Sequence, residues 1–173
     1  MKKFLKILVA IITVLVIAMF VIGKKYHYEQ SIVINAPIEK VWNNANSMKS
    51  FNQWNPWLKI DPAMKMEYFG NAGEVGDGYF WDSKNDDAGY GKQTILEISP
   101  MKKMKTEMKF IRPYEGEATS NLTFTTEGNA TKVTWDMDTE MEYPMNIMKL
   151  FMDGHMEKSY SEGLNSLKKL SEN

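Results

Sequence analysis

The sequence predicts an α+β architecture: a curved antiparallel sheet of about six or seven strands around a long C-terminal helix, preceded by one transmembrane helix. Three patterns carry this expectation. A charge-free apolar run near the N-terminus is bounded by lysines. Apolar and polar residues alternate with period two through the middle of the chain. A stripe of large apolar residues at spacings of three and four closes it. Each pattern is the surface signature of one kind of element. The chain has 173 residues, of which 43% are hydrophobic and 25% charged. That composition is globular, and the length suits one ordinary domain.

The apolar run extends from Ile7 to Ile22, with Thr13 its only polar residue. With Phe4, Leu5 and Gly23 it makes about 20 residues, which as a helix span roughly 30 Å, the thickness of a bilayer's hydrocarbon core. Residues 1–25 are therefore assigned as a membrane anchor, with residues 4–23 in the membrane and 26–173 as the folded domain. Lys2, Lys3 and Lys6 precede the span, and Lys24 and Lys25 follow it. This bias favours a cytoplasmic N-terminus and a domain outside, periplasmic or extracellular. The alternative is a cleaved signal peptide and a secreted domain. No A-x-A site precedes the charged flank, and Val21-Ile22-Gly23 matches the small-residue rule poorly.

The remaining elements follow in order. Tyr28–Asn35 alternates and is β-branched, so it reads as a strand. Pro37 suits the first turn of a helix in which Ile38, Val41, Trp42 and Ala45 recur at helical spacing. A second short helix is expected over Ser47–Trp54, stopped by Pro56. Strands are expected around Met64–Tyr68, Tyr79–Asp82, Lys92–Ser99, Met104–Phe110, Asn121–Thr125 and Val133–Asp138. Each has one apolar and one polar face, as in an antiparallel sheet. Pro144 opens the last helix, whose stripe runs through Met148, Met152, Met156, Tyr160, Leu164, Leu167 and Leu170. Asp153-Gly154 and Gly163 mark points where this helix is expected to kink or split. Strands grouped together with the helices segregated define the α+β class.

Composition excludes several functions. The absence of cysteine removes disulfides, thiolate nucleophiles and zinc–sulfur sites. Residues 1–25 hold five lysines and no acid, leaving 16 basic and 22 acidic residues beyond them, a balance of −6. Arg112 is the only arginine. Phosphate neutralisation needs clustered basic residues, so nucleic acid is not an expected partner. The run Gly70, Gly73, Gly76, Gly78 is flanked by strands on both sides. A phosphate cradle needs a helix after it, so a lid at a cavity mouth or a plain turn fits better. Asp82, Asp86 and Asp87 lack the calcium-loop pattern and read as a solvated turn. Neither a cofactor nor a metal is assigned.

Several short motifs resemble one known family. Ile34-Asn35-Ala36-Pro37-Ile38-Glu39-Lys40-Val41-Trp42 is similar to the opening of SRPBCC proteins, in their polyketide cyclase/dehydrase branch. Trp54-Asn55-Pro56-Trp57, Gly73-Glu74-Val75-Gly76, Trp81, Gly89-Tyr90-Gly91-Lys92, Thr131-Lys132-Val133-Thr134-Trp135 and Gly163-Leu164 follow in the family's order. The resemblance covers about residues 28–172. It implies the helix-grip fold of START domains and the major birch pollen allergen. It also implies an apolar cavity between sheet and helix that takes lipids, sterols, polyketides or similar molecules. It does not imply one reaction, because members differ in activity.

Fourteen residues are methionine, eleven of them after residue 60. Methionine is flexible and polarizable, so it suits a deformable ligand pocket, though ordinary core filling uses it in the same way. The expected ligand-contacting residues are Trp81, Met104, Met108, Phe110, Leu122, Phe124, Trp135, Met137, Met148, Met152 and His155. Trp54 is expected to pack in the core. No catalytic residue is assigned. His155, beside Phe151, Met152 and Met156, is the one acid–base candidate, and it lacks an evident orienting partner. Arg112 is expected to pair with Glu115 or Glu117 rather than clamp a ligand, and His27 to sit at the membrane junction with Tyr26 and Tyr28. The expected partners are a hydrophobic small molecule or lipid, and the membrane. Two other readings stay open: a cyclase- or hydratase-like enzyme, and an envelope interaction module with a vestigial cavity. The sequence names no protein partner.

Overall fold

A computed structural model describes residues 2–173. The apolar run forms α1 (Lys2–Ile22), long and apolar enough to cross a membrane. Seven strands follow: β1 (Lys25–Ile34), β2 (Lys65–Phe69), β3 (Gly78–Asp82), β4 (Tyr90–Ser99), β5 (Lys103–Arg112), β6 (Gly116–Glu127) and β7 (Ala130–Glu140). They make a single antiparallel sheet in the order β1-β7-β6-β5-β4-β3-β2. From β2 to β7 each strand pairs with the next, and β1 closes against β7. Leu96 is an extra residue in β4, where the register shifts between Ile95 and Glu97. Such a bulge bends the strand and helps the sheet curl.

The short helices plug one end of the curl. They are α2 (Ile38–Asn43) and α3 (Met48–Phe51). Pro37 caps the first, and the Ser47 hydroxyl caps the second by accepting from the Ser50 N–H at 3.1 Å. The second helix is shorter than expected, and a 3₁₀ turn at Pro56–Lys59, which the sequence reading missed, follows it. The glycine-rich run is pinned at this closed end. Buried Asp77 accepts from the Met48 N–H at 3.0 Å and the Gly73 N–H at 2.9 Å. It is a tied turn and not a lid over the cavity.

The concave face is covered by α4 (Lys149–Glu172), entered through a 3₁₀ turn at Met145–Met148. The expected interruptions at Gly154 and Gly163 do not occur, and the helix is continuous. Its buried face is Met156, Tyr160, Gly163, Leu164, Leu167 and Ser171, while Met148 and Leu170 are exposed. Gly163 is small because the helix passes over Trp135 and Pro56 there: a Cβ would lie 2.8 Å from the indole and 3.1 Å from the proline ring. Polar ties fix α4 along β1. Gln30 donates to the Ser161 hydroxyl at 2.7 Å, and Lys168 donates to the Val33 carbonyl at 2.9 Å. This arrangement is the helix-grip fold.

Candidate functional site: the sheet–helix cavity

Side chains paired across antiparallel strands share a face. The registers therefore lay the concave face out in rows. The outermost row is Trp81, Gly91, Phe110 and Gly116. The next is Tyr79, Gln93, Met108, Ala118, Thr139 and Tyr26. Below it lie Ile95, Thr106, Ser120, Met137 and Tyr28. The innermost rows are Ile98, Met104, Leu122, Trp135 and Gln30, then Phe124, Val133 and Ile32. The plug of α2 and α3 fills the innermost rows. The outer rows face a cavity of about 1280 Å³ beneath α4.

This layout sorts the expected ligand residues. Trp81, Met108, Phe110, Trp135, Met137, Met148 and Met152 line the cavity. Met104, Leu122 and Phe124 do not: they lie in the two innermost rows, of whose side chains the large Trp135 indole alone reaches the cavity, and Phe124 meets Trp42 edge to face at 5.2 Å. His155 is also outside the cavity: it is exposed and not among the lining residues, although Met152 and Met156 are. Trp54 is in the core, its indole donating to the Asn44 carbonyl at 3.0 Å.

The cavity wall is aromatic on one side and methionine-rich on the other. Trp135 stacks on Tyr160 with centroids 4.1 Å apart, and Trp57 meets Trp135 edge to face at 5.4 Å. The Trp135 indole donates to the Ser120 hydroxyl at 2.9 Å, which donates to the Asp136 carbonyl at 2.7 Å. Trp81 donates to the Ala88 carbonyl at 2.9 Å, so both indoles are satisfied without a ligand. Gly91 sets the pose of Trp81, since a Cβ there would lie 2.4 Å from the indole. Met64, Met108 and Met137 line the cavity below α4, and Met141, Met145, Met148, Met152 and Met156 bring the total to eight of the fourteen methionines.

One polar strip crosses the floor, and the sequence reading missed it. Tyr79 donates to Gln93 at 3.1 Å, Gln93 donates to Thr106 at 2.9 Å, and Asn55 donates to the Tyr79 oxygen at 3.3 Å. Gln93 and Thr106 are buried polar residues on inward positions of alternating strands, which is the signal that marks them. Burial pushes the phenols of Tyr79 and Tyr160 well above their ordinary value. Burial, reinforced by Asp153 accepting from its hydroxyl at 2.9 Å, does the same to Tyr26. These groups stay protonated near neutrality, so they are hydroxyl groups and not bases.

The rim consists of the β3–β4 turn at Asp86–Ala88, the β5–β6 turn at Arg112–Gly116, and the segment from Met141 to Met148. Arg112 pairs with Asp82 at 2.8 Å and donates to the Ser83 carbonyl at 2.8 Å, not with the expected Glu115 or Glu117. Asp82 lies across the β3–β4 pair and is fixed by the sheet, whereas both glutamates are in or beside the hairpin tip.

A helix-grip domain with a large apolar hollow defines a class of proteins, and sequence comparison specifies the family. The model for polyketide cyclase / dehydrase and lipid transport proteins matches residues 25–172, so the chain belongs to that family. No curated protein matches the chain by sequence. Among solved structures, a Nitrosospira multiformis protein is 20% identical, with a TM-score of 0.62 over 84% of this chain and 96% of its own. Ara h 8.0201 is 12% identical, with a TM-score of 0.59 over 86% and 99%. The di-domain ARO/CYC StfQ from the steffimycin biosynthetic pathway is 8% identical, with a TM-score of 0.65 over 86% of this chain and 51% of that one. At these identities the likeness is one of fold.

Proposed function

We propose that the domain is a membrane-anchored binding module that takes a hydrophobic small molecule or lipid into the sheet–helix cavity. The observation that carries this reading is the hollow itself, about 1280 Å³ with an aromatic and methionine lining. It exceeds the roughly 300–1,000 Å³ of typical ligand pockets. Apolar burial supplies the affinity. At about 0.8 kcal/mol per CH₂, ten buried methylenes give about 8 kcal/mol, in the micromolar range before ordering costs. Tyr79 and Gln93, the members of the polar strip that line the cavity, give a ligand polar contacts and hence an orientation. Methionines let the wall adjust to more than one shape. The family's description as cyclase, dehydrase and lipid transport fits a hydrophobic cargo. Binding rather than acid–base chemistry is the better-supported role, because His155 is exposed away from the cavity.

In this reading α1 holds the domain at a bilayer, with the N-terminus cytoplasmic and the domain outside. The test is native mass spectrometry of the full chain after gentle extraction. An apolar mass should travel with the protein, and its removal should lower the melting temperature. A stabilisation of about 2.7 kcal/mol is expected for ligand at a hundred times its Kd. A protein that is persistently empty, and whose stability no lipid extract changes, overturns the proposal.

A further inference from the structure

We propose that the exposed apolar segment from Tyr143 to Phe151 is an interfacial wedge that seats the cavity mouth on the same lipid bilayer that α1 crosses. This rests on the reading of α1 as a membrane span. Leu150 is 63% exposed and Phe151 79%, and Tyr143, Met145 and Met148 are exposed beside them. Contiguous apolar surface of this kind on a soluble face marks an interaction site.

The fold shows what covers it. Lys149, between Met148 and Leu150, turns the opposite way and donates to the carbonyls of Ile22, Gly23 and Lys25 at 2.8, 3.1 and 2.7 Å. Asn146 is fully buried and donates to the carbonyls of Met19 and Gly23 at 2.7 and 3.0 Å. Tyr143 meets Phe20 with ring centroids 5.2 Å apart. The segment is thus fixed beside the last turn of α1. A helix of 21 residues is about 32 Å long, so when it spans a core of about 30 Å its last turn lies at the lipid–water boundary. Tyr143, Lys24 and Lys25 are the residue types that favour that boundary. Leu150 and Phe151 meet it from the domain side. Met145 and Met148 belong to both the wedge and the cavity wall. These two methionines give an apolar molecule a route from bilayer to cavity.

The chain has no cysteine, so Phe151→Cys gives a single labelling site. Full-length protein carrying an environment-sensitive fluorophore there is reconstituted into phosphatidylcholine vesicles. Lys158→Cys, two turns on and exposed, is the aqueous control. The label at 151 should emit to the blue of the control and be quenched at least twofold more by nitroxide lipids carrying a shallow spin label. A label at 151 as water-exposed as the one at 158 overturns the wedge. So does a label shielded only at high protein-to-lipid ratio and untouched by nitroxide lipid, which assigns the patch to a second copy of the chain. Cavity loading is read separately by mass spectrometry. A water-exposed label on a loaded protein sinks the wedge alone, and a lipid-shielded label on an empty protein sinks the ligand reading alone.

Discussion

Trp135 is both floor and frame. Its indole face stacks on Tyr160, its edge receives Phe51, Trp54 and Trp57, and its N–H is consumed by Ser120. A ligand above it meets an apolar ring and no unsatisfied donor. Trp81 depends on its neighbour in the same way, because glycine at 91 leaves the space in which the indole lies. At the other end of the sheet, His27 and Asp138 face each other across β1 and β7 at 2.8 Å, both more than half exposed. The hydrogen bond to Asp138 raises the histidine's pKa above 6.5, against a smaller opposing effect of burial. A raised folded-state value means that protonation favours the folded chain. The contribution is fully present below about pH 6.5 and fades as pH rises through the folded value. Solvent screening keeps it to about 0.2–1 kcal/mol. An NMR titration should place the His27 midpoint above 6.5, and Asp138→Asn should lower it. An unmoved midpoint in that variant would refute the pairing.

At the scale of elements, α4 carries two glycines with opposite roles. Gly154 is exposed, and nothing lies within 4 Å of where its Cβ would be. Gly163 has an indole at 2.8 Å. Gly154→Ala should stabilise the full chain by about 0.5–1 kcal/mol through helix propensity and a less flexible unfolded state. Gly163→Ala gains the same propensity but overpacks a rigid ring, at a cost of about 1–3 kcal/mol. A net loss of about 1–2 kcal/mol is expected. Thermal melts in detergent should move in opposite directions, and shifts of one sign would refute the packing account. The helical pattern showed both glycines as breaks and gave no packing reason for Gly163, because the residue across the gap is 28 positions away. The strands were legible because their alternation is local. Met104, Leu122 and Phe124 have the same inward parity as Met108, Phe110 and Met137. Which of them meets the cavity depends on their row, and the row is set by where α2 and α3 plug the curl. Nothing local records that position.

At the scale of the whole molecule, α1 and the mouth form one unit. The last carbonyls of a helix have no partners within it. In α1 those of Met19 and Ile22, with the following Gly23, are taken by Asn146 and Lys149, more than 120 positions later. Lys24 pairs with Glu142, and Lys25 with Glu140 at 3.7 Å. The sequence showed the lysines flanking the apolar run but gave no sign of their partners, since the clamp exists only once β1 has paired with β7. Its consequence is orientation: the domain cannot swing freely about Gly23, so the mouth keeps one pose relative to α1. The same clamp should shield the junction from proteolysis, because trypsin needs the backbone at Lys24 and Lys25 to open. Replacing both donors, Asn146→Ala with Lys149→Met, removes five hydrogen bonds to four carbonyls without touching the cavity's aromatic wall. The loss of about 1.4 kcal/mol or more of local stability corresponds to at least a tenfold rise in opening. Cleavage after Lys24 or Lys25 in reconstituted full-length protein should accelerate by that factor, while near-ultraviolet circular dichroism of the domain stays unchanged. Equal cleavage rates in the two proteins would mean that the junction is open already and that the pose of the mouth is not fixed by α1.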